Sequence, residues 1–95
     1  MRLRGNVGKR LTDVRREVER ARETLRVLDE QAAYAEEVAD EATTRALVAS
    51  TPLADRERRA ATEDLRRVRR ERDETAARLS ALIAEQDELL ERLGG

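Results

Sequence analysis

The strongest constraint in this sequence is a single proline between two long segments whose apolar residues recur at heptad spacing. Pro52 lacks a backbone N–H and disfavours the interior of a helix, but it suits the first helical position. Thr51, just before it, carries a side-chain oxygen that can cap a helix. The sequence therefore predicts a first helix ending at Ala49, a turn over residues 50–53, and a second helix over residues 52–94.

The first segment carries apolar residues at alternating spacings of four and three, a pattern typical of coiled coils. The pattern predicts a helix over residues 7–49, and a short basic lead-in over residues 1–6. These apolar positions form a seam, which is mostly Val and Leu in its first part and only Ala in its second: Val7, Leu11, Val14, Val18, Ala21, Leu25 and Leu28, then Ala32, Ala35, Ala39, Ala42, Ala46 and Ala49.

Antiparallel pairing of the two segments matches their side chains in size. Leu11 would face the region of Leu90, and Ala46 would face that of Arg56, so bulky residues meet near the chain ends and small ones near the turn. Because two separate stretches agree, we predict one all-α domain over residues 7–94. Its two long antiparallel helices would form a coiled-coil hairpin, which a second copy would complete to a four-helix bundle.

Charge supports the same pairing. An acidic stretch of helix one faces an arginine-rich stretch of helix two, and we predict cross-helix ion pairs Glu36–Arg69 and Arg45–Glu57. Overall the charges nearly cancel, with 20 basic and 21 acidic residues, whereas a nucleic-acid-binding domain usually has a large basic excess. We therefore do not expect nucleic acid as the main partner.

Composition argues against an enzyme. Only 39% of residues are apolar and 1% are aromatic, which is too little bulk for a globular core that encloses a pocket. There is no His or Cys, so we expect no catalytic residues, no metal site, no cofactor and no small-molecule substrate. We also expect no membrane span and no signal peptide, and hence a cytoplasmic protein.

Three surfaces are candidates for binding a partner. The first is a thin apolar stripe on helix one. The second is a wide apolar face near the chain ends, which we expect to bury against a second copy or against a different partner. The third is the turn. The stripe comprises Val27, Tyr34, Val38 and Val48; the self-association face comprises Leu79, Leu82, Ile83, Leu89 and Leu90; the tip comprises Pro52, Leu53, Asp55, Arg56 and Glu57.

The tip also carries a family resemblance. A coiled-coil hairpin with acidic residues at its tip resembles the finger that DksA and Gre-type factors insert into bacterial RNA polymerase, and the Pro-x-x-Asp-Arg of Pro52 to Arg56 is similar to the tip of DksA. The resemblance implies a bacterial transcription regulator, with Asp55 directed at the polymerase active centre. It covers only these few residues, and the zinc-binding cysteines of DksA are absent.

Three functions follow. The leading hypothesis is a non-enzymatic protein–protein interaction module, an adaptor, scaffold or regulatory subunit, that binds a protein partner or forms a homodimer. The first alternative is the transcription regulator that the resemblance implies. The second is a nucleic-acid binder that uses the arginine-rich run Arg66, Arg67, Arg69, Arg70 and Arg72.

Overall fold

The protein folds as an antiparallel hairpin of two long α-helices. A computed structural model describes residues 2–94, with side chains described from Gly5 onward. Helix α1 spans Arg2–Ala49 and helix α2 spans Pro52–Gly94, and no strand occurs in this part of the chain. The predicted all-α hairpin is therefore confirmed.

Helix α1 begins at Arg2, five residues before the predicted start at Val7. Residues 2–6 of the predicted lead-in therefore belong to α1, and Asn6 lies inside the helix and does not cap it. Met1, the rest of the predicted lead-in, lies outside the described residues. Glycine costs a helix only about 1 kcal/mol, and adding a residue to an existing helix is far easier than starting a new one. Gly5 and Gly8 therefore do not end it.

The turn between the helices consists of Ser50 and Thr51. Ser50 has a φ of 49°, in the left-handed region, and its N–H donates to Ala46 O at 3.1 Å, which closes the last turn of α1. Thr51 Oγ1 accepts a hydrogen bond of 3.1 Å from the N–H of Ala54. Thr51 is thus the N-cap of α2, as predicted, and Pro52 is its first residue.

One compact unit joins the α1 segment that ends at Leu25 to the α2 segment that begins at Glu74. Apolar residues from both helices form its core, and Val14 is fully buried. The core consists of Val14, Val18, Ala21, Leu82 and Leu89, with Val7, Leu11, Leu79 and Ile83 packed against it.

The other compact unit comprises Arg26–Asp73 and includes the turn. Its core is built from small residues, as the alanine seam predicts: Ala39, Ala42, Ala61 and Leu65, with Ala35 packed against them. Arg69 Nη2 lies 3.6 Å from Glu36 Oε2, so this predicted cross-helix pair is confirmed.

The second predicted ion pair is wrong. Arg45 Nη1 lies 4.0 Å from Glu41 Oε2 on its own helix, and no ion pair joins Arg45 to Glu57 in residues 2–94. A long exposed guanidinium at the end of a helix reaches a carboxylate one turn away without crossing to the other helix. The local i,i+4 partner therefore replaces the distant one.

Candidate functional site

In the unit Arg26–Asp73, α1 and α2 flank an open groove of about 610 Å³. Tyr34, the only aromatic residue of the chain, lies on its α1 side and is 64% exposed. Apolar side chains from both helices line it: Val27, Tyr34, Ala35 and Val38 from α1, and Ala61 and Val68 from α2. We call it the Tyr34 groove.

The polar residues that line the Tyr34 groove are Glu30, Gln31 and Asp64, and no basic residue is among them. Glu30 Oε1 accepts a hydrogen bond of 2.8 Å from Arg26, and Asp64 Oδ1 accepts one of 3.3 Å from Arg67. Each of these acids is therefore paired with an arginine of its own helix. The groove itself therefore presents an apolar floor with acidic side chains at its edges.

Three of the four predicted stripe residues line this groove, and the fourth does not. Val48 lines a second hollow of about 360 Å³ at the turn, together with Leu53 and Ala54. Val48 therefore lies outside the Tyr34 groove, and the role of the stripe in binding stays a prediction. Glu41 occupies the heptad position between Tyr34 and Val48, so a carboxylate interrupts the apolar side chains there.

Three exposed large apolar side chains lie at or beside the turn. Val48 is 83% exposed, Leu47 is 77% exposed and Leu53 is 59% exposed. Sequence reasoning missed Leu47. Its position between the seam residues Ala46 and Ala49 was the available signal, because a large apolar residue off the seam of a hairpin has no partner helix to cover it.

At the predicted tip, Asp55 is bound by two arginines of its own helix. Arg58 Nη2 donates to Asp55 Oδ1 at 2.8 Å, and Arg59 Nη2 lies 2.8 Å from Asp55 Oδ2. The hydrogen bond from Arg58, followed by the charge of Arg59, lowers the pKa of the Asp55 carboxyl. Its two oxygens are therefore engaged within α2, while Pro52, Arg56 and Glu57 are exposed beside it.

The hairpin itself covers most of the predicted self-association face, whereas self-association stays a prediction. Leu82 and Leu89 are buried in the core against α1, and Leu79 and Ile83 pack against the same core. Among the five residues only Leu90, at 50%, is strongly exposed. Val14 and Val18 of α1 belong to the core that these residues join.

Every arginine of the run from Arg66 to Arg72 is paired with an acid. Only Arg69 pairs across the hairpin, whereas the other partners belong to α2 itself. Those pairs are Arg66–Glu63 at 3.7 Å, Arg67–Asp64 at 3.3 Å, Arg70–Glu63 at 4.0 Å and Arg72–Asp73 at 3.2 Å. Neighbouring carboxylates therefore offset the positive charge of this run.

Within residues 2–94, neither helix contains a stretch that is both long and apolar enough to cross a bilayer. Comparison of the chain with protein-family models, with curated proteins and with solved structures finds no match.

Proposed function

We propose that this chain is a non-enzymatic protein–protein interaction module and that the Tyr34 groove is its binding surface. The observation that carries the proposal is the exposure of Tyr34 beside a hollow that apolar residues of both helices line. Tyrosine is enriched among residues that dominate binding energy, because its ring buries a large area at little entropic cost. An exposed tyrosine over an apolar floor is typical of a binding surface.

The shape of the groove suits a helix from the partner. Val27 and Val38 lie about 16 Å apart along α1 at 1.5 Å per residue, which is three helical turns. A partner helix with apolar residues at i, i+3 and i+7 would place one side chain per turn against this floor. It would add a third helix to the unit Arg26–Asp73.

Two observations favour this surface over the alternative functions. The Asp55 carboxylate is already engaged by Arg58 and Arg59, whereas an acid that acts at a polymerase active centre has to be presented outward. The arginine run is paired with acids along its length, which weakens its attraction for phosphates.

The test compares groove variants with matched variants at the turn in affinity capture from a native lysate. Tyr34→Ala and Val38→Ser change the groove, and Leu47→Ala and Val48→Ser change side chains that are equally or more exposed and lie outside it. We expect the groove variants to lose the captured protein and the turn variants to keep it, with all four retaining the helical circular dichroism of the parent. Loss of capture by the turn variants alone would overturn the proposal and favour the tip.

A further inference from the structure

We infer that the occupant of the Tyr34 groove is an amphipathic helix that carries Lys or Arg on both sides of its apolar face. This inference rests on the proposed function and adds the chemistry of the partner. It starts from the lining of the groove, where the charged side chains are Glu30 on α1 and Asp64 on α2. An occupant that lies between them has acidic side chains on both flanks.

The sequence around Tyr34 adds further negative charge to the α1 side. Glu30 lies one turn before Tyr34 and Glu37 lies three residues after it, so both neighbour the tyrosine on the helix surface. Glu37 is exposed and has no ion-pair partner within the described part of the chain. The ring of Tyr34 is 64% exposed and is flanked by carboxylates. Its π face therefore also suits a cation–π contact with a guanidinium or ammonium group.

The α2 side repeats the pattern. Asp64, which accepts a hydrogen bond from Arg67, is the acid of α2 that lines the groove. Glu57 and Glu71 lie one heptad before and after it on the same side of α2, and both are exposed. Charges at the edge of an interface select partners and orientation more than they add affinity. The apolar floor would therefore hold a helix, and the acidic edges would select one with basic flanks.

The test uses two synthetic helical peptides with the same apolar residues at i, i+3 and i+7. One has Lys at the flanking positions and the other has Glu there, and binding to the full chain is followed by fluorescence anisotropy of a dye on the peptide. We expect the Lys peptide to bind about tenfold more tightly at low salt, from several exposed charge pairs. The difference should shrink as salt rises.

Charge-matched variants locate the effect. Glu30→Gln with Glu37→Gln removes two acids beside Tyr34, and Glu88→Gln with Glu91→Gln removes two acids from the other unit. The control is closely matched, because Glu30 accepts from Arg26 at 2.8 Å and Glu88 accepts from Arg92 at 3.0 Å, both at i,i+4. We expect the first pair to lose most of the Lys preference and the second pair to keep it.

The outcomes separate this inference from the proposed function. Equal binding of both peptides, lost in Tyr34→Ala, would overturn the basic partner and leave the groove as the binding surface. A Lys preference that both variant pairs reduce alike would place the charge effect elsewhere and overturn the inference. Binding of neither peptide would count against the groove itself. Self-association of the chain that Tyr34→Arg abolishes would show that a second copy fills it, which also overturns the inference.

Discussion

The Arg10 guanidinium binds the Glu85 carboxylate across the hairpin through two hydrogen bonds. Arg10 Nε donates to Glu85 Oε2 at 2.8 Å and Nη2 donates to Oε1 at 2.9 Å. Arg10 Nη2 also lies 3.5 Å from Glu17 Oε2, an atom that accepts no hydrogen bond in the described structure. The Arg10 guanidinium therefore contacts two carboxylates, Glu17 on α1 and Glu85 on α2.

The first prediction concerns these charges. Arg10→Gln should lower the melting temperature by more than Glu85→Gln does. The first change leaves the carboxylates of Glu17 and Glu85 without their cation, whereas the second leaves no carboxylate without one. Both effects should stay within a few degrees, since the groups are exposed. Thermal unfolding followed by circular dichroism measures them, and Lys9→Gln serves as a control that removes a neighbouring charge without an ion pair of its own. Equal shifts for Arg10→Gln and Lys9→Gln would contradict the role of the bidentate contact.

The pH dependence of the same contact is the second prediction. The hydrogen bond from Arg10 lowers the pKa of Glu85, so folding is favoured where Glu85 is ionised. The stabilisation should be fully present above the ordinary pKa of glutamate and disappear as pH falls through the lowered value. Urea unfolding of the parent and of Glu85→Gln at about pH 7 and about pH 2 tests this. The two proteins should differ at the higher pH and converge at the lower, and a difference that grows with acid would contradict the assignment.

The third prediction compares two valines that differ in burial. Val14 is 0% exposed and Val48 is 83% exposed. Val14→Ala removes two methyl groups from a packed core and should lower the free energy of unfolding by about 2 kcal/mol. Val48→Ala should change it by less than about 0.5 kcal/mol. Urea denaturation measures both, and similar values for the two variants would show that Val14 is not part of a fixed core.

The fourth prediction concerns the alanine seam of the unit Arg26–Asp73. Ala42 is buried against Ala61 and Leu65, whereas Ala33 is exposed on the same helix. Ala42→Leu should overpack this contact and cost about 2 kcal/mol. Ala33→Leu should have an effect below about 0.5 kcal/mol, since it meets only solvent. If both variants unfold at the same urea concentration as the parent, the two helices do not pack closely there.

The fifth prediction uses two threonines with opposite roles. Thr51 caps α2, whereas the hydroxyl of Thr44 donates to Asp40 O at 3.0 Å inside α1. Thr51→Ala should lower the free energy of unfolding by about 1 kcal/mol through loss of the cap. Thr44→Ala should raise it by up to about 0.5 kcal/mol, because alanine is the better helix former. Effects of the same sign, measured by urea denaturation, would contradict the cap.

Sequence reasoning predicted the parts of the fold that depend on repeated features. Three of these features rest on local geometry that other helix arrangements cannot satisfy equally well. They are the heptad seam, the packing of Ala against Ala across the hairpin, and Thr51 directly before Pro52. Glu36–Arg69 was predictable for the same reason, since the paired seams place those two positions opposite each other.

The errors arise where several partners or both helices decide the outcome. Arg45 had a carboxylate on each helix within reach, and side-chain flexibility favoured the nearer one. The stripe is a pattern of α1 alone, whereas the groove also depends on Ala61 and Val68 of α2, so Val48 falls outside the groove. For Leu82 and Leu89, the composition of one helix face could not show how much of it the opposite helix covers.

The placement of Tyr34 has a practical consequence. The chain contains one tyrosine and no tryptophan or phenylalanine, so its near-ultraviolet absorption and intrinsic emission come from a single ring at the edge of the groove. The unlabelled protein thus carries its own optical reporter at the proposed contact. Binding of a ligand without aromatic residues at the groove would change the absorption and emission of the Tyr34 phenol. Binding at the turn or at Leu90 would leave that signal unchanged.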